Sequence, residues 1–367
     1  MDEKNSNPFT PVFGQIPLHM AGREDILEEM DEAFASNGQD PNLTSIIVGA
    51  RGTGKTALLS LLSKEAESQG WVAVNVTALP GMLENVYEQA VKHCAHLIDS
   101  SSTKTHLTGI TVGGFGVEWT NNSQPAQGTW RTRMEALLDL LAPTGAGLLI
   151  CVDEVDPELD EMAELAATYQ HFLRDGRKVS LLMAGIPSHV LSLLSSKESS
   201  FLRRACQHRL GRLANYEVEQ AFESTMADGG KTLDNDALEL AVKNIDGFPF
   251  MIQLLGYRCW NVAGKKSNLT IEDIQKGTVR AQRELRERVY DTVYLELSQG
   301  DRDFLVAMLE DKEKSALSDL RERLGKNPQQ LSYQKKRLIS QGLVRDENRG
   351  FVAFDMPGLR EYLADQL

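Results

Sequence analysis

Apolar residues follow two rhythms along this chain. Over roughly the first 213 positions, short strand-like runs alternate with stretches where apolar side chains return every three or four residues. The runs stand at 44–49, 71–78, 147–152, 178–184 and about 207–213. The run at 147–152 is apolar on both faces, as in a buried parallel strand, and together they predict a parallel sheet. Helical periodicity fills the intervals, at 25–35, 55–69, 82–99, 129–142, 157–174 and 188–195. Such alternation predicts an α/β fold with helices over both faces of the sheet. The opening arm, to about Met20, carries proline and no period, and is expected to lie extended across this domain. Residues 107–119 break the alternation. They predict a β-hairpin turning at Gly113-Gly114, part of an insertion over about 107–127.

From Asn215 the rhythm is purely helical, at 216–227, 234–245, 249–263 and a long stretch from Thr270 to about Ser298. Three short helices follow, at 301–311, 315–324 and 328–341. Leu343-Val344-Arg345 and Phe351-Val352-Ala353-Phe354 then predict a ribbon turned at Asn348-Arg349-Gly350. Three helices and a ribbon make a winged-helix pattern. The expected division is therefore 1–213, 214–298 and 299–367.

Candidate chemistry sits at the ends of two of the strands. Gly49-Ala50-Arg51-Gly52-Thr53-Gly54-Lys55-Thr56 follows the strand at 44–49 and opens a helix, which is the context a phosphate-binding loop requires. Glycines let successive N–H groups turn toward one anion, and the helix N-terminus adds partial positive charge. Lys55 is placed to reach the β- and γ-phosphates of ATP or ADP, and the Thr56 hydroxyl to help hold Mg²⁺. The apolar run 147–152 ends in Asp153-Glu154, at the sheet edge where open α/β sheets bind ligands. Asp153 suits a water-mediated Mg²⁺ contact, and Glu154 suits the base that polarises an attacking water. The pair favours hydrolysis over binding alone.

Composition changes this picture little. The chain is 41% hydrophobic and 25% charged, with no apolar stretch approaching a membrane span and a polar start. Four scattered cysteines without C-x-x-C spacing read as free thiols and, with that start, as a cytoplasmic protein. His93, Cys94 and His96 share a helical run, but no further ligands accompany them. The net charge of −13 excludes a polyanion binder over the whole surface. The acidity lies in the first 300 residues. Within the tail, Lys326 to Arg349 carries six basic residues against two acidic ones.

Nearly the whole chain, from Gly22-Arg23-Glu24 through both motifs to the ribbon, resembles the AAA+ and STAND ATPases. The similarity is to the origin-recognition-initiator and archaeal-ATPase types. The resemblance implies a nucleotide domain, a helical lid and a C-terminal winged helix. It also implies adenine contacts from Ile16, Pro17, Leu18 and Met20. It places an arginine finger, acting on a neighbouring subunit after ATP-driven self-association, at Arg204 or next to it at Arg203. A polar γ-phosphate sensor should end the strand at 178–184, where only Ser188 and, weaker, Ser180 are on offer. Initiator-type lids carry a phosphate-touching Arg. Here Gly247-Phe248-Pro249-Phe250 instead resembles the STAND G-x-P element, with Pro249 packed near the nucleotide. That departure favours a switch over an oligomeric motor.

The helix at 328–341 offers Gln329, Gln330, Ser332, Gln334, Lys335, Lys336 and Arg337 as its exposed polar set. Leu331, Tyr333, Leu338 and Ile339 would be its anchors. With Arg345 and Arg349 in the wing, this set suits double-stranded DNA. The alternatives are a signalling switch whose winged helix contacts protein, and an adaptor that retains nucleotide as structural glue.

Overall fold

The computed structural model describes residues 6–12, 14–100, 128–197, 199–347 and 350–367. The insertion expected at 107–127 and Arg349 lie outside the described residues. Five strands make one parallel sheet: β1 (Thr44–Gly49), β2 (Val72–Thr77), β3 (Leu148–Asp153), β4 (Val179–Gly185) and β5 (Cys206–Leu210). Their order is β2-β3-β4-β1-β5. The order follows burial. β3 and β4 are buried almost throughout and lie inside, whereas β5, with Gln207, His208 and Arg209, alternates between half-buried and exposed positions as an edge strand. Its helices are α1 (Glu24–Ala35), α2 (Lys55–Ser68), α3 (Met82–Ser100), α4 (Trp130–Leu141), α5 (Asp160–Arg174) and α6 (Pro187–Ser195). Two hydrophobic clusters fill the two faces of the sheet, one around Phe34 and Leu58, the other around Tyr169 and Phe172.

The helical part comprises α7 (Asn215–Asp228), α8 (Asn235–Ile245), α9 (Pro249–Ala263), α10 (Ile271–Leu285) and α11 (Asp291–Glu296). Two corrections arise here. A two-residue parallel pair, β6 (Thr232–Leu233) with β7 (Asn268–Leu269), stands where helix alone was expected. Two residues are too few to leave an alternating pattern. The long helix expected to about Ser298 is interrupted by a π-turn at Arg286–Tyr290.

The C-terminal module holds α12 (Gln299–Met308), β8 (Ser315–Ala316), α13 (Leu317–Leu324), α14 (Pro328–Ser340), β9 (Val344–Glu347), β10 (Phe351–Phe354) and α15 (Leu359–Ala364). Its antiparallel sheet runs β8-β10-β9, so the ribbon gains a third strand from residues expected to begin a helix. α14 starts as its sequence dictates: Asn327 caps it, Gln330 completes the capping box and Pro328 takes the first turn. One continuous core joins this module to the helical part, from Phe222 and Leu254 through Tyr290 to Phe304 and Leu338.

The arm departs from expectation. It anchors on the helical part, not on the sheet. Phe9 is 1% exposed and belongs to that same core, with its ring 5.4 Å from the ring of Phe222. A side chain at Gly256 of α9 would collide with the Phe9 ring. Asn7 Nδ2 donates to Tyr257 O at 3.1 Å. A short apolar-polar-apolar arm has no period, so only its partner could reveal where it docks. Phe9→Ala should therefore destabilise the helical part by about 3–5 kcal/mol. Urea unfolding would measure this, and a loss below 1 kcal/mol would show that the anchoring does not hold.

Candidate functional site

The loop from Gly49 to Thr56 joins β1 to α2 around two left-handed glycines, Gly52 (φ 80) and Gly54 (φ 88). Gly54 is also the N-cap of α2. This backbone is a bare cradle for an anion, and a Cβ at Gly52 would meet the ring of Phe248. Thr53 is buried and closes the turn through Oγ1, which donates to Ala50 O at 2.9 Å. Lys55 folds back, its Nζ donating to Ala50 O at 2.8 Å. Thr56 Oγ1 donates to Asp153 Oδ2 at 2.6 Å, so the two expected metal residues stand together. The tip of β4 lies between these two motifs in the sheet order.

Burial pushes the Lys55 ammonium down to about 8, against the pull of Asp153 and Glu154, with Arg51 adding to the depression. The amine is poised to gain from an anion. Glu154 is exposed and sits in the left-handed region at φ 55, which costs a non-glycine residue about 1–3 kcal/mol. Its N–H donates to Asp153 Oδ1 at 2.9 Å, which fixes the aspartate.

Beside the loop lies a cavity of about 520 Å³, within the range of small-molecule sites. Its walls come from the arm, the phosphate-binding loop, Asp153 and Glu154, the start of α9, and the π-turn with α11. Of the residues for which the resemblance implies adenine contacts, Pro17 and Met20 line the cavity, while Ile16 and Leu18 do not. Pro249 also lines it, and Phe250 N–H donates to Gly52 O at 3.3 Å. Neither proposed serine reaches the cavity. Ser180 lies near the start of β4, buried and donating to Leu43 O at 2.8 Å. Ser188 does not line the cavity; His189, one residue on, does.

Sequence reading missed several lining residues. Arg23 is 8% exposed, and its guanidinium donates to Thr53 O at 3.4 Å. Its place in Gly22-Arg23-Glu24 beside the arm was a usable signal. Arg288 lines the cavity from the π-turn, where the sequence shows only a polar helix.

Away from the cavity, Arg203 is engaged, with Nε donating to Leu194 O at 2.7 Å. Arg204 is exposed and makes no ion pair among the described residues. On α14 one pair of assignments is reversed. Gln334 is 8% exposed and donates to Gly300 O, whereas Tyr333 is 66% exposed. Leu331 and Leu338 set the buried stripe, and position 334 falls between them on that side of the helix. Lys335 pairs with Asp346 at 2.8 Å, and Arg337 pairs with the buried Asp301 at 2.5 Å. Gln329, Gln330 and Lys336 stay exposed. Arg345 is tied within the ribbon, to Glu347 at 2.9 Å and to Phe354 O at 2.7 Å.

The C-terminal module also touches the phosphate-binding loop. A side chain at Gly342, just after α14, would collide with Ala50. Arg212 bridges the same seam, reaching Asp246 at 2.5 Å and Asp355 at 3.1 Å.

The model of a domain of unknown function, DUF8462, matches residues 287–363, from the π-turn to α15. A search of curated protein sequences returns no match. Among solved structures, the Walker-type ATPase PABY2304 of Pyrococcus abyssi is similar with TM-score 0.68 at 14% identity. The match covers 94% of this chain and 96% of that one. The Aeropyrum pernix ORC2 protein, in its ADPNP–ADP complexes, gives 0.64 at 17% identity over 97% and 96%. Cdc6p from Pyrobaculum aerophilum gives 0.50 at 14% over 97% and 96%. The chain has the fold of the Orc/Cdc6-type AAA+ ATPases. That fold runs through the parallel sheet, the helical part and the C-terminal module together.

The depressed Lys55 fixes a pH dependence. Protonated below about 8, Lys55 loses its charge as pH rises through that value. Affinity for ADP should hold steady below pH 7 and fall between pH 8 and 9.5, with Lys55→Arg flattening the fall. Titration calorimetry across that range would check it, and a flat wild-type profile would contradict the assignment.

Proposed function

We propose that this protein binds ATP with Mg²⁺ at the 49–56 loop and hydrolyses it slowly as a molecular switch. The observation that carries this reading is the contact of Thr56 with Asp153 beside the left-handed Gly52 and Gly54. An anion cradle, a buried ammonium and a paired hydroxyl and carboxylate share one cavity. The residues fit the group. Backbone N–H groups and Lys55 hold phosphate oxygens, and Thr56 and Asp153 hold the metal. Mg²⁺ supplies neutralisation of charge developing on the β- and γ-oxygens. Glu154, exposed and aimed by its unusual backbone, accepts the proton of the attacking water. Arg204, unpaired at the surface, is the finger offered to a second copy on ATP-driven self-association.

The output is carried by the C-terminal module, read as a winged helix, acting on double-stranded DNA. Gln329, Gln330 and Lys336 are exposed for this, with Lys335, Arg337 and Arg349 as further candidates. The ORC2 neighbour's nucleotide complexes support the cofactor reading. A second reading is a STAND-type switch whose module contacts protein. One observation favours it: Lys335 and Arg337 already face Asp346 and Asp301, which leaves a face mixed with the exposed Tyr333.

Lys55→Ala should abolish most ATP affinity, and Glu154→Gln should keep affinity while turnover falls about 10²-fold or more. Calorimetry and phosphate release separate the two; unchanged values in either variant refute that residue's role. For the output, duplex-DNA anisotropy in a salt series should give steep salt dependence. Lys336→Glu should weaken binding and lower the slope by about 1. Flat signals with ATP, ADP and no nucleotide would hand the output to the protein-contact reading.

A further inference from the structure

One polar corner of the cavity is not explained by the phosphate-binding loop. The arm, α9 and the π-turn meet there. Thr10 Oγ1 is buried and, among the described residues, has no hydrogen-bond partner, an orphan that a ligand would satisfy. Thr10 N–H donates to Gln253 Oε1 at 3.0 Å. Arg288 Nη1 lies 3.2 Å from Pro11 O and 3.1 Å from Glu284 Oε1. Glu284 is separately held by Arg258, so Arg288 is not needed to neutralise it. Thr10, Gln253 and Arg288 all line the cavity.

The corner stands close to the loop. Phe250 of α9 bonds Gly52, and Gln253 follows three residues later on the same face, about one helical turn or ~5 Å along. From the other side, the arm passes so that a Cβ built on Gly14 would come within 3.5 Å of the Thr56 methyl.

We propose that Thr10, Gln253 and Arg288 form a second anchor for the phosphate end of the bound nucleotide. The anchor rests on the nucleotide reading above. A phosphate oxygen takes the Arg288 guanidinium from the neutral Pro11 carbonyl, because an anionic acceptor adds Coulomb attraction and can engage the planar fork bidentately. The orphan Thr10 hydroxyl gains an acceptor in the same step. The arm, the lid helix and the π-turn then share one ligand. π-turns are rare and concentrate at functional sites. This one leads straight to the C-terminal module, where the Tyr290 hydroxyl donates to Pro357 O and Arg286 pairs with Asp365.

Calorimetric titration of the full chain with ATP, ADP and adenosine tests the anchor, using wild type, Arg288→Ala and the shape-matched Thr10→Val. Arg288→Ala should weaken ATP and ADP about 10- to 100-fold and leave adenosine unchanged. Thr10→Val should weaken ATP several-fold while its melting temperature stays within a few degrees of wild type. Unchanged ATP affinity in both variants overturns the anchor. So does equal loss for ATP and adenosine, which would move the corner to the base or ribose. A wild-type chain without ATP affinity overturns the nucleotide reading itself and the anchor with it.

Discussion

The ring of Phe248 occupies the space where a side chain at Gly52 would stand. The contacts made on the loop by the rest of the molecule follow from that constraint. The loop must be bare backbone to face an anion, and bare backbone leaves a hollow that something has to fill. Phe248 fills it and brings α9 with it, through the bond from Phe250 to Gly52. Gly342 does the same on the other side, where the turn after α14 sits against Ala50. The phosphate-binding loop is therefore touched by the helical part and by the C-terminal module. Because those two share one core, they cannot respond to the loop independently. A change at the loop is felt by both at once.

The fold was legible where burial sets the pattern. β3 and β4 are buried on both faces, and their few polar residues, Ser180 and the terminal Asp153, do not break the apolar run. The loop was legible too, because its chemistry requires a fixed spacing of glycines, Lys55 and Thr56. What escaped was structure decided by partners. Tyr333 and Gln334 are neighbours on one helix, and their exchange of roles depends on Gly300 offering a carbonyl to Gln334. The π-turn at Arg286–Tyr290 leaves no mark either, since an extra residue in a polar helix changes no composition. The arm's anchor is one phenylalanine, and its pocket is made by Gly256, far along the chain.

Electrostatics makes the site asymmetric in a useful way. Asp153 and Glu154 pull Lys55 toward its charged form, yet burial outweighs them and leaves the amine near 8. An ammonium held so weakly against desolvation gains more from a phosphate than an exposed one would. Arg51 adds to that depression and is itself drawn toward α11, where it pairs with Glu296 at 3.0 Å. Both are surface-exposed, so the pair adds little stability. Its meaning is positional: a charge in the loop is tied to the helix that leads into the C-terminal module.

The same reasoning accounts for α14. One end of this helix, through Ile339 and Gly342, borders the loop beside Ala50 and Arg212. Its other face presents Gln329, Tyr333 and Lys336 outward. A rigid helix with one end on the loop and one face on the outside cannot shift at the loop without re-aiming that face. The ion pairs from Arg337 to Asp301 and from Lys335 to Asp346 stiffen the helix within its own module. The module shares one core with the helical part, and Arg212, just after β5, is tied to both of them by its ion pairs with Asp246 and Asp355.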